Sequence, residues 1–552
     1  MTQPSVAAPP VRPRLFQRHW TWWFMVAVLV VVAVGRLRLL NFPLERDEGE
    51  YAYAGQLMLQ GIPPYQLAYN MKFPGTYAAY AAIMALFGQT PAGIHFGVLC
   101  LTTLTALMLF RLGKQILDWT AGMAAATSYA VMAASPAMLG LAGHATHFAA
   151  FFATAGLCVA WKARQNANWL IGFTAGLLFG VSVLMKQQVA FIGLWAVIAF
   201  IVQLVRQTQL PLAKRFWPVA AFGVGMILPF SVCCLILWHA GVFEKFWFWT
   251  IRYAHQYASL IPVSAAPMVF WKTFCLVTAG VFLLWLVVAA GLGMVWFDKR
   301  LRPTRLWLLG FSLASALTIC PGFYFRKHYY LLTLPAAALL AGCAVSGARQ
   351  LWSQRAKNSR LGDWPVWCYA LMVATTIMAR SDIWFVKTSV QIARTMYGAD
   401  PLPESEIIAR YICNNSEPDA RVAVLGSEPE IYFLAHRHSA TGYIYTYAQM
   451  EPQPFALKMQ HEMISDIETR KPEFVVFADN IMSWNRRPDS DPGIFNWWDS
   501  YQTNYTLVGM ADILSPTQTV YALGAKWVAR YGKDIHGSGL EVYQRKTTVN
   551  NH

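Results

Sequence analysis

The sequence predicts a polytopic α-helical membrane protein of about eleven transmembrane helices, followed by a C-terminal extracytoplasmic α/β domain. The composition is 56% hydrophobic and only 13% charged, whereas roughly a quarter of the residues of a soluble protein are charged. Runs of about 20 apolar residues, the length that spans a bilayer, recur as far as residue 385. Beyond that point the composition becomes that of a soluble domain.

The N-terminal segment 1–19 is rich in proline and arginine, and we expect it to be a cytoplasmic tail. The first span follows at about 20–40 and ends in Arg36 and Arg38. Because these arginines stand where a signal peptide would carry a small-residue cleavage site, this span is predicted to be an uncleaved anchor.

The basic loops decide how the remaining apolar segments cross the membrane. Segment 74–88 is about 15 residues long, which is short for a span. If it does not cross, the Lys- and Arg-rich loops all fall inside, as the positive-inside rule requires. It is therefore predicted to be re-entrant or interfacial. The other spans are predicted at about 92–113, 119–138, 145–161, 168–185, 188–205, 216–239, 271–296, 305–321, 328–347 and 365–385.

This arrangement makes residues 20–385 a transmembrane catalytic domain, with outer loops 41–91 and 240–270. The C-terminal domain, 386–552, lies on the same outer face. Within it, segments 421–426 and 473–479 read as buried strands among amphipathic helices, which predicts a small α/β layer. It carries no catalytic constellation. Its aromatics, including Trp497 and Trp498, are typical either of a folded core or of a sugar or lipid contact.

The net charge of +16 does not indicate nucleic acid, because the cations concentrate in the predicted cytoplasmic loops. The nine cysteines show no metal-site or disulfide spacing. Cys413 is the only cysteine beyond residue 386, so we expect no disulfide within that domain.

An acidic stretch, "RDEGEY", directly follows the first span and contains Asp47, Glu48 and Glu50. Acids at a membrane surface are often simply solvated. Here three fall within four positions beside apolar and aromatic residues, which is typical of the rim of a cavity. A carboxylate there could act as a general base, and burial would raise its pKa toward the working range. It could also hold a divalent metal.

Several cations and aromatics are predicted on the same outer face. Cations near a membrane are costly without a partner, and a lipid-linked phosphate would be one. The alternative is that they extend to lipid headgroups, and for the aromatics it is interfacial anchoring. The candidate phosphate-binding residues are Lys72, Lys186, Arg326 and Lys327. The candidate substrate contacts are Tyr51, His147, Arg252, Tyr253, Tyr257, His328 and Tyr329.

Together these residues favour transfer of a sugar from a lipid-linked phosphate donor to an acceptor hydroxyl or amine. Attack opposite the leaving phosphate would invert the anomeric centre. The base would assist the nucleophile, and the cations would stabilise the charge that develops on the phosphate.

The segments "RDEGEYAYAGQLMLQGIPPY" and "KFPGTYAAYAAIMALFGQTPAGIHFG" resemble the first outer loop of the GT-C superfamily of glycosyltransferases. More narrowly, the chain looks like the protein O-mannosyltransferase/aminoarabinose transferase group. "LMKQQ" and "FRKHYYLLTLPAAALLAG" are similar to segments of bacterial members. The resemblance covers most of residues 40–350 and, more loosely, "GSEPEIYFLAHRHSATGYIY".

The resemblance implies a polytopic enzyme that uses a polyprenyl-phosphate sugar at the periplasmic or lumenal face. It assigns Asp47 as the base or acceptor-orienting acid, with Glu48 as its neighbour, and Lys72 and Lys186 as donor-phosphate ligands. It implies no metal and no other cofactor. Where many relatives carry a second acid, this chain has His144 and His147 in "GLAGHATHFAAF", which weakens a two-carboxylate mechanism.

The expected partners are the donor, membrane lipid, and a glycan, lipid or protein acceptor of the cell envelope. The expected location is a bacterial inner membrane. The alternatives are a transporter or flippase of a polyprenyl-linked substrate and a non-catalytic membrane scaffold. Transport is disfavoured because the predicted spans almost entirely lack Asp and Glu. The acidic and cationic residues together argue against a scaffold.

Overall fold

Helices dominate the computed structural model, which describes residues 15–164, 168–209, 211–355, 361–531 and 538–546. The first fourteen residues of the predicted cytoplasmic tail lie outside these ranges. The regular elements described in the first part of the chain are helices. Its helices are α1 Leu15–Arg38, α2 Arg46–Leu59, α3 Gly75–Phe87, α4 Pro91–Ile116, α5 Trp119–Ala133, α6 Ala145–Lys162, α7 Trp169–Met185, α8 Ala190–Val205, α9 Leu212–His239, α10 Phe243–Trp247, α11 Ala254–Ala258, α12 Ala266–Ala279, α13 Phe282–Phe297, α14 Arg305–Leu317, α15 Leu334–Arg355 and α16 Trp364–Met378.

The C-terminal part mixes helices with strands. Its elements are α17 Ser389–Tyr397, α18 Leu402–Asn414, β1 Arg421–Leu425, α19 Glu430–Ala435, β2 His438–Ser439, α20 Tyr447–Met450, α21 Ala456–Arg470, β3 Phe474–Asp479, α22 Ile481–Trp484, α23 Gly493–Tyr501, β4 Tyr505–Ser515, β5 Gln518–Leu523, α24 Ala525–Tyr531 and β6 Ser538–Arg545.

Among the described residues, five helices are long and apolar enough to cross a membrane. The bent pair 243–258 and 263–279 makes six if it counts as one span. Five further apolar helices have only 10–17 residues, α3 among them. At 1.5 Å per residue, such helices are shorter than the roughly 30 Å of a hydrocarbon core. The several apolar helices are therefore those of a multi-pass membrane protein, but the predicted total of eleven spans is not confirmed.

One predicted span differs from the structure in a specific way. Segment 271–296 is interrupted, because α12 ends at Ala279 and α13 begins at Phe282. Val281 leaves the helical conformation, with φ −139° and ψ 33°. A continuous apolar run cannot reveal such a break, since Gly280 and Val281 interrupt neither its hydropathy nor its length.

A six-stranded mixed sheet, with strand order β2-β1-β3-β6-β4-β5, forms the centre of the C-terminal part. The predicted strands correspond to β1 and β3, which pair in parallel with Val424 opposite Val476. Val476 also lies opposite Val542 of β6, in an antiparallel pair. These valines are fully buried, as expected for a strand covered on both faces.

The two parts of the chain share one continuous apolar core. Tyr53 of α2 and Tyr432 of α19 are both fully buried, and their ring centroids lie 5.1 Å apart. The hydroxyl of Tyr53 accepts a hydrogen bond from the backbone N–H of Ser439. Helix α2 is thus held directly by the C-terminal part, which fixes the position of the acidic residues at its start.

Candidate active site

Helix α2 begins at the acidic stretch because Glu45 caps it. The Glu45 carboxylate accepts from the backbone N–H of Glu48, and the Glu48 carboxylate accepts from that of Glu45. Such a capping box satisfies amides that a helix start leaves free, and acids in the first turn favour the helix dipole. Asp47 and Glu50 are three positions apart and therefore share one face of the helix, while Glu48 points elsewhere.

Lys72 joins the two acids on that face. Its Nζ lies 2.5 Å from Asp47 Oδ1 and 2.7 Å from Glu50 Oε2. Glu50 also accepts hydrogen bonds from the Tyr77 hydroxyl at 2.5 Å and from Asn70 Nδ2 at 2.7 Å. The Glu50 side chain is fully buried, whereas that of Asp47 is 22% exposed. Asp47 is therefore the carboxylate of this pair that an entering substrate can reach.

The electrostatic surroundings keep Asp47 ionised. Burial by itself would raise its pKa, but the Lys72 ammonium, with smaller effects of His328 and His144, holds the pKa below its usual value. Glu50 differs, because burial raises its pKa despite the opposing effect of Lys72. From the sequence, burial is expected to raise the pKa of the base. For Asp47 the Lys72 ammonium outweighs burial, and the pKa is lowered.

Glu48 does not share the position of Asp47. It is fully buried, and its Oε1 accepts from the backbone N–H of Gly143 at 2.5 Å and lies 3.1 Å from His95 Nε2. Successive helical residues point about 100° apart, so Glu48 turns toward the loop that precedes α6. In this position Glu48 ties the start of α2 to the loop that carries His144. Its predicted catalytic role beside Asp47 stays a prediction.

His144 and His328 stand beside the free oxygen of Asp47. His144 Nδ1 lies 3.8 Å from Asp47 Oδ2 and 3.4 Å from Glu45 Oε1. The two imidazole rings stack with centroids 4.4 Å apart. Burial lowers the pKa of His144 to about 4, so this ring is neutral at neutral pH. Neither of its nitrogens has a hydrogen-bond partner among the described residues.

Asp47, His144 and His328, called here the His–Asp group, each offer one ligand atom, and these atoms lie within 4.8 Å of one another. Two imidazoles and a carboxylate are donors that suit divalent transition metals. Of the residues that the structure describes, these are the ones that could hold such an ion. The resemblance to GT-C glycosyltransferases implies no metal at this site, and that stays a prediction.

Two cations next to this centre have no carboxylate partner. Lys186 Nζ lies 4.8 Å from the centre of the Tyr329 ring, and Arg326 lies 5.0 Å from that of Tyr324. Arg326 Nη2 also donates to the Tyr257 hydroxyl at 3.4 Å. Neither cation forms an ion pair with any residue the structure describes. Burial, with the nearby Lys72 ammonium, lowers the pKa of Lys186 to about 8.

The aromatic candidates separate into two sets. Tyr257 stacks on Tyr324 at 4.5 Å, beside Arg326, and the Tyr253 hydroxyl donates to Glu451 at 2.7 Å. Tyr51 is buried beneath Lys72, whose Nζ lies 4.7 Å above its ring. Of the predicted aromatic contacts, Tyr51 thus packs against Lys72, whereas Tyr257 lies against Arg326 and Tyr253 against Glu451.

Three candidates do not join this arrangement. Arg252 is exposed and takes part in none of these contacts, although its neighbour Tyr253 does. Within the described residues, Lys327 makes no hydrogen bond or ion pair with the site. His147 is 1% exposed, and its ring nitrogens lack partners among the described residues, but it is not one of the His–Asp group.

The C-terminal part supplies residues that the sequence analysis does not predict. The Tyr445 hydroxyl donates to Asp47 Oδ1 at 3.4 Å, and its ring centre lies 5.7 Å from Lys72 Nζ. Arg46, next to Asp47, forms ion pairs with Asp400 at 3.2 Å and Glu428 at 3.1 Å. No local pattern marks Tyr445, since it lies 398 positions from Asp47. The acidic centre is therefore completed from both parts of the chain.

Comparison with known proteins supports the resemblance to GT-C glycosyltransferases. A family model described as dolichyl-phosphate-mannose-protein mannosyltransferase matches residues 72–238, a segment that includes Lys72, His144 and Lys186. A search of curated proteins finds no match.

Solved structures similar to the chain span most of its length. ArnT from Cupriavidus metallidurans bound to undecaprenyl phosphate has a TM-score of 0.57 at 16% identity, over 91% of this chain and 97% of that one. Archaeal oligosaccharyltransferase AglB from Archaeoglobus fulgidus, in complex with an inhibitory peptide and a dolichol-phosphate, has a TM-score of 0.50 at 12% identity, over 93% and 75%. At these identities the likeness shows the fold. The predicted resemblance to the GT-C superfamily, and to the protein O-mannosyltransferase/aminoarabinose transferase group, is confirmed.

Proposed function

We propose that the chain is an inverting membrane glycosyltransferase that moves a sugar from a polyprenyl-phosphate donor to an acceptor hydroxyl or amine. The observation that carries the proposal is the pair of cations without carboxylate partners, Lys186 and Arg326, beside the Asp47–Lys72 ion pair. Lys186 is half-buried and Arg326 is exposed. Cations at the edge of a membrane are costly without an anion, and a donor phosphate would supply one. The undecaprenyl phosphate of ArnT and the dolichol-phosphate of AglB support this choice of donor.

In the proposed reaction the acceptor oxygen or nitrogen attacks the anomeric carbon from the side opposite the phosphate. The bond from the anomeric carbon to the phosphate oxygen breaks, and its electron pair stays on the phosphate. Lys186 and Arg326 stabilise the charge that develops there. The acceptor proton passes to Asp47 Oδ2, which lies 3.8 Å from His144 Nδ1, whereas Lys72 pairs with Oδ1.

Lys72 has two roles in this proposal. In the structure it holds Asp47 ionised but weakly basic. A donor phosphate would attract the same ammonium, and any shift of Lys72 away from Asp47 raises the pKa of that carboxylate and makes it a stronger base. Donor binding would thereby activate the base, with Glu50 and Tyr77 keeping the lysine near the site.

The proposed setting is a bacterial inner membrane, with the site and the domain 386–552 on the periplasmic side and the N-terminus in the cytoplasm. The distribution of cations among the predicted loops supports this orientation. The acceptor would be a cell-envelope glycan, a lipid or a protein. Nucleic acid is not among the proposed partners.

The test is sugar transfer in membranes that contain the full-length protein, with a panel of radiolabelled polyprenyl-phosphate sugars and extracted envelope material as acceptor. Transfer from one donor by the wild type, and a fall of about 10²- to 10⁴-fold in Asp47→Asn, is the expected result. Asp419→Asn is the matched control, because it removes an exposed carboxylate of the C-terminal part.

Equal transfer by Asp47→Asn and the wild type would contradict the role of Asp47. Absence of transfer from every donor would contradict the enzyme itself. The alternatives, a flippase and a scaffold, are then separated by reconstituting the protein in liposomes and measuring the movement of a fluorescent polyprenyl phosphate between leaflets.

A further inference from the structure

A polar groove of about 720 Å³ lies on the C-terminal part, beside the loop that carries Lys72. Three segments line it: Tyr69 comes from that loop, Lys245 from α10, and Leu457, His461, Glu462 and Asp466 from α21. This volume is within the range of small-molecule sites, which is about 300–1,000 Å³. No residue of the groove takes part in the acidic centre.

The floor of the groove is fixed in place. The backbone N–H of Tyr69 donates to Gly442 O at 2.7 Å. The ring of Tyr69 packs on Trp249, with centroids 5.9 Å apart, and edge-on against Tyr443 at 5.3 Å. Lys245 Nζ lies 4.8 Å from the centre of the Tyr69 ring. The aromatic floor of the groove is therefore in contact with its charged wall.

The wall carries two cations, Lys245 and Lys458, and two carboxylates, Glu462 and Asp466. Lys458 Nζ lies 3.8 Å from Glu462 Oε1. Glu462 accepts from the Tyr443 hydroxyl at 2.5 Å and lies 3.4 Å from Lys245 Nζ. Asp466 lies 3.7 Å from Arg470. Partial burial would raise the pKa of Glu462, but the bond from Tyr443 and the Lys245 ammonium together lower it, so it is ionised at neutral pH. A wall neutralised in this way favours an uncharged ligand over an anionic one.

The chemistry of the groove suits a saccharide. Ionised carboxylates only accept hydrogen bonds, and sugar hydroxyls are donors that match them. Leu457, 46% exposed, gives an apolar surface for the C–H face of a sugar ring. The helix α21 presents side chains and has no free strand edge at which a peptide could add.

The groove is close to the proposed reaction. Tyr69 precedes Lys72 by three residues, and three residues of chain span at most about 11 Å. The groove therefore borders the loop that carries Lys72, the partner of Asp47.

We propose that this groove binds the saccharide part of the acceptor, so that the sugar is transferred to a glycan or a glycolipid headgroup. This inference rests on the proposed function, because it names the substrate class that the same enzyme would glycosylate. Tyr69 and Glu462 would hold the saccharide while its reacting hydroxyl extends toward Asp47.

The experiment measures binding without transfer. Purified full-length protein in nanodiscs is applied to a printed panel of bacterial envelope oligosaccharides and to a panel of peptides, with no donor present. We expect retention by at least one oligosaccharide, a loss of at least tenfold in affinity for Tyr69→Ala and Glu462→Gln, and less than threefold for Tyr69→Phe. The exposed Glu417→Gln, outside the groove, is the matched control.

Folding of each variant is checked by thermal unfolding of the purified protein, which does not depend on any ligand. Retention of no oligosaccharide, or retention that Tyr69→Ala and Glu462→Gln leave unchanged, overturns the proposal. Binding of peptides alone overturns the saccharide assignment. Saccharide binding that persists while no donor supports transfer would refute the proposed function and leave the groove assignment standing.

Discussion

Gly49 is a point of close backbone contact between the helix that carries Asp47 and the C-terminal part. A Cβ added there would lie 2.5 Å from the backbone N of Glu430, 2.7 Å from its Cβ and 2.8 Å from its Cα. The obstructing atoms belong mainly to the backbone of α19, so a rotamer change cannot relieve the clash. Reaching the 3.4 Å of an ordinary contact requires α2 and α19 to separate by about 0.9 Å.

We therefore expect Gly49→Ala to reduce transfer much more than it reduces stability. Overpacking costs about 1–3 kcal/mol, and about 1 kcal/mol returns because alanine favours a helix over glycine, which leaves a net loss of about 0–2 kcal/mol. A displacement of about 1 Å at a reacting group can cost about 10²-fold in rate. The expected result is a fall in kcat of about 100-fold with little change in the KM for the donor.

The assay combines radiolabelled sugar transfer with thermal unfolding of the purified protein. Gly223→Ala in α9 is the matched control, because nothing lies within 4 Å of the added Cβ. It should be neutral or slightly stabilising and fully active. If Gly49→Ala matched this control in both measurements, the contact between α2 and α19 would not position Asp47, and the reasoning would be refuted.

Three further predictions follow from the charges of the site. The pKa of Lys186 is lowered to about 8, so the side chain is almost fully charged below pH 7 and loses its charge as the pH rises through 8. The KM for the donor should therefore rise above pH 8 in the wild type but not in Lys186→Arg. A KM that does not change with pH in the wild type would exclude phosphate binding by this residue. Arg46→Met leaves the buried Glu428 without its cation. The free energy of unfolding, measured by chemical denaturation, should therefore fall by about 3–5 kcal/mol. A fall below about 1 kcal/mol would show that this ion pair does not stabilise the fold. Dialysis against EDTA should leave transfer within twofold, and a loss restored by Zn²⁺ would show instead that the His–Asp group is a metal site.

The sequence predicts the parts of the fold that local patterns specify. Hydropathy and charge identify the apolar helices, and β1 and β3 coincide with the two predicted strands to within a residue. The sequence does not predict the antiparallel strands β4, β5 and β6. The pairing of β6 with β3 is distant in sequence, which explains that miss. The hairpin of β4 and β5 is local, with Ser515 opposite Gln518. The number of spans depends on helix breaks such as that at Val281, which hydropathy does not register.

The candidate site shows the same division. The acidic stretch and Lys72 can be predicted as site residues from the sequence, because charges beside apolar segments are costly without a partner. Their direct ion pair is not predictable, since it depends on how the loop before α3 folds back over α2. The contact of Tyr445 with Asp47 could not be predicted from the sequence, because nothing in its local sequence distinguishes Tyr445 from a core tyrosine. The hydrogen bond from the Gly143 backbone N–H to Glu48 could not be predicted, because it depends on where the loop before α6 lies in the fold.

Helix α2 belongs to the membrane part by sequence, yet Gly49 and Arg46 make it a component of the C-terminal part by contact. The two parts are therefore not interchangeable modules. An engineer who replaced the C-terminal part with that of a relative, in order to redirect the enzyme to a new acceptor, would also replace the surface on which the acidic helix rests. Such a chimaera would need a close-packing backbone opposite Gly49 and two acids opposite Arg46, and during divergence these positions should change together.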